Sequence, residues 1–557
     1  MRSLSAMFGV LAAVAVAGGC STVLGLDDLR ERGGDGGSSP PDKPAVPRAT
    51  TASKVDVLLV VDNSYAMSDK IPPLASSIGV LLRQIASKVN DIHVGVVTSS
   101  LGSMGGDLCS KELEQGAHLS TVAAGGGFVP GTEKGFLEYG GDKLDVSVLT
   151  AGTVALVSGV GQSGCFLPAP LESAYRFLVQ PDPWNAVTLR GTLARLEGID
   201  LTVLQQRKAF LRQDSLVLVL LLTDKDDQVA DPRSFGGQGW AFENSTFVSQ
   251  GLLQVARGTS PCAAMPGAAT CVSCACSTND PVCQNKASDP ECRNTGGYYP
   301  DVGINLRFFD MKRRFGVDAQ FPIARYADGF TNVRVPDRGG EHLVVDGKLG
   351  DYAAVPSCTN PLFAGTLPNP GEELCNLPDG PRGPALVVFG VIGGVPNQLV
   401  SGVTPDWKAI LGEDPGSYDA RGIDPHMIQS TEPRAGLPYS ADALRGENGP
   451  DPVHGREFTT HGSDLQYACT FALAAYRTCG EPIQAGCDCV KSSDAPLCTS
   501  GYNRQVRGKA YPTPRVLRVA KALGERGVVG SICPLDGDGY TSTMNRIADR
   551  VLPKLVK

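Results

Sequence analysis

Short strand-like segments alternate along this chain with segments whose apolar residues recur at helical spacing. Val57–Val61 and Leu216–Thr223 are apolar runs, and further strands are predicted at Ile92–Thr98, Leu386–Ile392 and Val528–Ile532. A continuous apolar run is typical of a strand that is buried on both faces. The helical spacing occurs within Leu74–Val89, Leu171–Leu178, Val516–Leu523 and Met544–Leu555. The alternation predicts an α/β fold with a doubly wound, mostly parallel sheet.

Two long segments interrupt this alternation, from about Gln228 to Pro384 and from about Asn397 to Pro512. Both are rich in Gly and Pro, weakly periodic and cysteine-bearing, which favours loops held by disulfides over a large separate core. A chain of 557 residues would suggest about three or four domains by length alone. We instead predict one α/β domain over residues 52–557, opened by insertions at about 228–384 and 397–512.

The amino terminus has the layout of a secretory signal. Arg2 precedes an apolar segment, Met7–Ala17, and residues 18–20 read Gly-Gly-Cys. The apolar segment is too short to span a bilayer. Small residues directly before Cys20 resemble a bacterial lipobox, which implies that residues 1–20 are removed and that Cys20 is acylated. An ordinary signal peptide with a nearby Cys is the alternative.

The segment that follows this signal, residues 21–51, is polar and rich in Gly, Ser and Pro. Such a composition offers little to bury, so we expect a flexible tether between the lipid and the folded domain. In lipoproteins of the type that the lipobox implies, Ser21 after the acylated Cys favours the outer membrane. The expected location is therefore the cell envelope, lipid-anchored in the outer membrane.

Cysteine usage independently supports export. Of 17 Cys, setting aside Cys20 leaves an even 16, and an even count in an exported chain indicates disulfides. The pairs Cys109/Cys165 and Cys358/Cys375 stand apart from two clusters, and Cys533 would complete the second cluster. Zinc at Cys271-x-x-Cys274 is an alternative, although no His lies close by. The two clusters comprise Cys262, Cys271, Cys274, Cys276, Cys283 and Cys292, then Cys469, Cys479, Cys487, Cys489 and Cys498.

Candidate chemistry follows two of the predicted strands. Asp62 and Ser64 come directly after Val57–Val61, and Asp224 follows Leu216–Thr223. Ligands bind at the carboxyl ends of strands in open α/β sheets. A carboxylate and a hydroxyl two residues apart supply hard oxygen ligands to a small cation. These positions therefore predict an oxygen-lined cation site.

The segment Asp62-x-Ser64-x-Ala66 resembles the first loop of the metal-ion-dependent adhesion site of von Willebrand factor A domains, whose pattern is Asp-x-Ser-x-Ser. Thr223-Asp224 is similar to the strand end that carries the distal carboxylate of that site. The resemblance implies a divalent cation that is held by Asp62, Ser64 and Asp224. Among divalent cations, Mg²⁺ is the one expected. A carboxylate from a partner would complete its coordination.

Two positions depart from this family pattern. Ala66 replaces a ligand Ser, and the segment Gly161–Leu171 lacks the Thr expected of the middle loop. Ser163 or Glu172 could substitute for that Thr. Mg²⁺ tolerates several retained waters, so the departures weaken the expected binding without excluding it.

The composition and the motifs of the chain argue against some classes of function. The net charge of −8 is spread along the chain without a basic block, which argues against a nucleic-acid partner. The motifs GxSxG, HExxH and GxxxxGK[ST] are absent from the sequence, so we do not expect an enzyme. Residues 536–539, Asp-Gly-Asp-Gly, lack the pattern of a calcium loop and predict a turn.

We therefore expect an envelope lipoprotein that binds a protein or surface-polymer partner through a von Willebrand factor A domain, in a role such as cell adhesion. One alternative keeps the fold but treats the site as decayed and metal-free, in a structural envelope protein. A further alternative is a hydrolase located in the insertions, using His454 or His461.

Overall fold

The structure is a computed structural model. It describes residues 47–109, 116–140, 145–245, 256–279, 281–293, 304–345, 348–414, 418, 420–439, 457–460, 462–479, 487–489, 497–499, 504–535 and 537–557. Cys20, His454 and His461 lie outside the described residues, as does most of the predicted tether. Ala49, near the end of that tether, donates its backbone N–H to Pro381 O at 2.7 Å. Within the described ranges, no helix combines the length and apolarity needed to cross a membrane.

The strands of the described chain form one central sheet and four small two-stranded sheets. In chain order they are β1 (Val55–Val61), β2 (Asp91–Thr98), β3 (Leu137–Gly140), β4 (Ala186–Arg190), β5 (Leu193–Glu197), β6 (Leu216–Leu222), β7 (Arg334–Val335), β8 (His342–Val345), β9 (Lys348–Tyr352), β10 (Cys358–Thr359), β11 (Val387–Gly393), β12 (Cys469–Thr478), β13 (Arg504–Ala510) and β14 (Gly527–Ser531).

The central sheet has the order β14-β11-β6-β1-β2-β3. Its strands pair in parallel except for the antiparallel edge strand β3. Numbered within this sheet alone, the order is 6-5-4-1-2-3, the doubly wound arrangement in which the direction of winding reverses between strands 1 and 4. The predicted α/β class and mostly parallel sheet are confirmed. The point of reversal lies between β1 and β6.

Helices surround and connect these strands. They are α1 (Ile71–Ala86), α2 (Val146–Gly159), α3 (Pro170–Leu178), α4 (Leu201–Phe210), α5 (Ser234–Gly237), α6 (Pro261–Ala264), α7 (Pro290–Arg293), α8 (Met311–Phe315), α9 (Ile323–Gly329), α10 (Arg338–Glu341), α11 (Trp407–Leu411), α12 (Pro514–Ala522) and α13 (Thr541–Val551). Prolines in the first turns of α1, α3 and α12 suit helix starts, where a missing N–H costs nothing.

Both faces of the sheet are covered, which explains the continuous apolar runs. Leu58 and Val60 of β1 pack on one side with residues of α3, α4, α9 and α12. Val57, Leu59 and Val61 pack on the other side with α1, α2 and α13. Successive residues of a strand point to opposite faces, so apolar side chains predominate along a strand that has helices on both sides.

The two segments predicted as insertions leave the sheet at the carboxyl ends of β6 and β11. The first lies between β6 and β11 and contains α5–α10 and β7–β10; the second lies between β11 and α12 and contains α11 and the hairpin β12–β13. Cys469 at the start of β12 is bonded to Cys533, just after β14. The second insertion is thereby joined covalently to the core.

All 16 cysteines other than Cys20 form disulfides, so the prediction of a disulfide framework is confirmed. Cys271 and Cys274 belong to different bridges, which leaves neither as a thiolate for zinc. The pairs are Cys109–Cys165, Cys262–Cys271, Cys274–Cys292, Cys276–Cys283, Cys358–Cys375, Cys469–Cys533, Cys479–Cys487 and Cys489–Cys498.

Candidate functional site

The structure brings Asp62, Ser64 and Asp224 to the point where the winding of the sheet reverses. Asp62 is the first residue after β1, and its N–H donates to Leu222 O of β6 at 2.9 Å. Asp224 follows β6 by two residues, so both carboxylates lie at the carboxyl ends of neighbouring parallel strands. All three residues have no exposed surface. In doubly wound sheets this reversal is where ligands bind.

The Asp62 carboxylate is held from three sides. Its Oδ1 accepts a hydrogen bond from Ser64 N–H at 2.8 Å and a longer one from Ser99 Oγ at 3.4 Å. Its Oδ2 accepts from Thr223 Oγ1 at 2.9 Å. Burial, together with the nearby charge of Asp224, raises the pKa of Asp62 above its ordinary range. Burial and the charge of Asp224 therefore outweigh the opposing effects of Lys225 and of the hydrogen bonds from Ser64 on this pKa.

Several buried oxygens of this site have no hydrogen-bond partner within the described part of the chain. They are Ser64 Oγ and both carboxylate oxygens of Asp224. Buried polar atoms are rarely left unpaired, and an ion is one of the recognised explanations. Two carboxylates and one hydroxyl form a donor set that suits Mg²⁺ or a similar hard cation with retained waters. The donor chemistry at this position thus fits a divalent cation.

A lysine ammonium lies beside these donors. Lys70 is fully buried, and its Nζ donates to Ala66 O at 2.6 Å. The same Nζ lies 2.8 Å from Asp69 Oδ1 and 3.0 Å from Asp224 Oδ2. The Asp224 contact has the distance of an ion pair without the alignment of a hydrogen bond. The site therefore contains one internal cation that contacts a proposed metal ligand.

The second insertion covers the site. Tyr511 N–H, just beyond β13, donates to Asp224 O at 2.9 Å. Gly508 of β13 lies so close to Asp69 that a Cβ would fall 2.4 Å from its Oδ2. Phe471 and Ala510 of the hairpin join the apolar cluster that includes alternate residues of β1. The hairpin of this insertion therefore packs against residues that surround the predicted ligands.

The middle loop approaches the first loop through its backbone. Gly164 N–H donates to Asn63 O at 3.0 Å, and a Cβ on Gly164 would lie 2.1 Å from Asn63 Oδ1. Ser163 is exposed, and buried Glu172 pairs with Arg325. Neither side chain joins Asp62 and Asp224, so the structure supplies no substitute for the missing Thr from these two residues.

Three residues that sequence reasoning did not assign lie in or beside the site. Ser99 follows β2 directly, so the rule that placed Asp62 at the end of β1 would also have found it. Asp69 is the last residue of the 3₁₀ turn Tyr65–Asp69, and Lys70 follows it directly before α1. Nothing in their spacing marks them, because the geometry of that turn decides where their side chains go.

The chain matches no protein-family model, no curated protein and no solved structure. The fold and the site define it as a disulfide-bonded α/β protein with a six-stranded, mostly parallel sheet. Its buried cluster of oxygen donors lies at the reversal point of that sheet, between the core and the second insertion.

Proposed function

We propose that the chain is a lipid-anchored cell-envelope protein that binds a protein or surface-polymer partner through a divalent-cation site formed by Asp62, Ser64 and Asp224. One observation carries the proposal. These donors converge at the reversal point of the sheet, and Ser64 Oγ and Asp224 Oδ1 lack hydrogen-bond partners among the described residues, while Asp224 Oδ2 contacts the Lys70 ammonium. The resemblance of residues 62–66 to an adhesion-site loop supports the same function.

The balance of buried charge also favours a cation. The side chains of Asp62 and Asp224 are buried and that of Asp69 is 4% exposed, whereas Lys70 is the fully buried cation beside them. Lys225 adds a half-buried positive charge that lowers the pKa of Asp62. Buried charges are costly unless they are compensated. A divalent cation would compensate the remaining negative charge.

In this proposal each residue has a distinct role. Asp62 and Asp224 are the anionic ligands, and Ser64 is a neutral hydroxyl ligand. A bound cation supplies positive charge that attracts a carboxylate of the partner. Because all three donors are fully buried, a partner carboxylate reaches the cation only when a neighbouring segment moves aside. In this proposal that segment is the second insertion, whose Tyr511 is bonded to Asp224.

The direct test is calorimetric titration of Mg²⁺, Mn²⁺ and Ca²⁺ into the purified protein and into Asp62→Asn. We expect saturable binding that is lost in Asp62→Asn. Asp214→Asn is the matched control, since Asp214 is a half-exposed carboxylate at the opposite end of the same strands. Equal binding by wild type and Asp62→Asn would contradict the proposal. Partner binding that persists in excess EDTA would contradict the cation-dependent mechanism.

A second function is favoured by the position of Lys70. An ammonium that already contacts Asp224 can neutralise that carboxylate without a metal, and Ala66 lacks the hydroxyl of the family pattern. The protein would then be a structural envelope protein with a metal-free site. Partner binding that is unchanged in Asp62→Ala would favour this function over the first.

A further inference from the structure

Lys70 is held inside the cluster of oxygen donors. It lies directly after the 3₁₀ turn that follows Ser64 and has no exposed surface. Its ammonium contacts Ala66 O, Asp69 and Asp224 at distances of 2.6, 2.8 and 3.0 Å. The ammonium is therefore held between two carboxylates and a carbonyl oxygen.

The contact with Asp224 matters because the Lys70 ammonium and the proposed cation would both bind this carboxylate. Asp224 Oδ2 faces the ammonium, while Asp224 Oδ1 and Ser64 Oγ find no hydrogen-bond partner in the described ranges. Mg²⁺ binds its oxygen ligands at about 2.0–2.1 Å. A cation on Asp224 would thus lie within a few ångström of the Lys70 ammonium. Like charges at such a distance repel strongly when they are buried.

The second insertion packs against the carboxylates that hold the Lys70 ammonium. The backbone of β13 at Gly508 lies against Asp69, with room for no Cβ, and Tyr511 N–H is bonded to Asp224 O. Lys70 itself has no exposed surface, and the hairpin packs against both of its carboxylate partners. A divalent cation that binds Asp224 therefore binds beside the ammonium or displaces it.

We propose that Lys70 is the resident cation of this site and that it limits divalent-cation affinity by competing for Asp224. The inference rests on the proposed function, because it concerns the same donors. Lys70 would keep the site neutralised and closed at low divalent-cation concentration. Occupancy would follow only at concentrations high enough to overcome the ammonium.

The test compares Mn²⁺ binding by calorimetry in the purified wild-type protein, Lys70→Met and Lys70→Gln. Both substitutions remove the charge, and Gln keeps a donor for Ala66 O. We expect affinity to rise by about tenfold or more in both variants, given the Coulomb repulsion of charges a few ångström apart. Lys70→Arg retains the charge and should stay close to wild type. Lys54→Met, at the far end of β1 and paired with exposed Asp214, is the control.

The outcomes separate this inference from the function on which it rests. Binding by wild type that is unchanged or weaker in Lys70→Met and Lys70→Gln would overturn the role of Lys70 and leave the cation site intact. Binding by the neutral variants alone would support the inference in its strongest form. Absence of binding in all proteins would overturn both.

A measurement on the wild-type protein covers the case in which the neutral variants fail to fold. Lysine-selective ¹⁵N NMR should give a protected Nζ signal that is lost in Lys70→Arg. Titration with Mg²⁺ should shift that signal saturably. Binding of Mg²⁺ in the calorimeter with no change in the Lys70 signal would overturn the inference.

Discussion

Arg325 offers a sharp test of how the first insertion is attached to the core. Its fully buried guanidinium lies in α9, where Nε donates to Glu341 Oε1 at 2.6 Å and both terminal nitrogens contact Glu172. Glu172 belongs to α3 of the core, so the guanidinium bridges the two parts. The ring of Tyr175 lies 3.8 Å from the guanidinium carbon.

We expect Arg325→Met to lower the free energy of unfolding by about 3–5 kcal/mol, the cost of removing one partner from a buried ion pair. Glu341 keeps Arg233, whose Nη2 lies 2.5 Å from Glu341 Oε2. Glu172 loses its guanidinium partner. Most of the loss should therefore come from the uncompensated charge of Glu172.

The pH dependence of this loss has a defined sign. Burial already raises the pKa of Glu172, although Arg325 opposes the effect. Without Arg325 the pKa rises further. An acid whose pKa is raised by folding contributes stability below its unfolded pKa and loses that contribution as the pH rises through its folded pKa. The deficit of Arg325→Met should thus be larger at pH 8 than at pH 4.5.

The assay is denaturant unfolding followed by tryptophan fluorescence and circular dichroism, with disulfides kept oxidised. Arg190→Met is the control, because Arg190 is 76% exposed and pairs with half-exposed Glu197; such pairs contribute about 0–1 kcal/mol. The double variant Glu172→Gln/Arg325→Met should recover much of the loss. A free energy of unfolding of Arg325→Met within about 1 kcal/mol of wild type would show that Arg325 does not stabilise the protein through Glu172.

Three further predictions concern other parts of the fold. In Gly164→Ala the new Cβ would meet Asn63 Oδ1 at 2.1 Å. We expect this overpacking to lower the free energy of unfolding by about 1–3 kcal/mol and therefore to lower the Tm; an unchanged Tm would contradict this. Replacing Cys469 and Cys533 together with Ala should lower the free energy of unfolding by about 2–5 kcal/mol, and denaturant midpoints equal to wild type would speak against it. Burial raises the pKa of Glu243 from 4.5 to about 8, so stability should fall as the pH rises through this interval. Glu243→Gln should flatten that fall, and a wild-type slope in the variant would refute the assignment.

The sheet was largely predictable because helices cover both of its faces. A run such as Leu216–Leu222, buried at every position, needs no information from the rest of the chain to be recognised as a strand. The edge strand β3 was not predicted, since only Leu137 of its four residues is buried. Helix α2 was also missed: its apolar face is blurred by buried Thr153 and by Val148, which is 55% exposed.

The site was predictable in part, namely for the residues that follow the ends of strands. Asp62, Ser64 and Asp224 converge because each lies just beyond the end of a strand, and neighbouring parallel strands end together. Lys70 reaches the site only through the geometry of the turn before α1. The position of β13 depends on its pairing with β12 within the second insertion. The weak periodicity of that segment did not allow its fold to be predicted. Local patterns thus specify which groups end strands, but not which distant segment closes over them.

Anomalous diffraction from crystals grown with Mn²⁺ tests most directly whether Asp62, Ser64 and Asp224 together bind a divalent cation. We expect a peak within coordination distance of Asp62, Ser64 Oγ and Asp224, absent from crystals of Asp62→Asn. At saturating Mn²⁺, density showing the Lys70 ammonium against Asp224 and no anomalous peak beside these donors would contradict it.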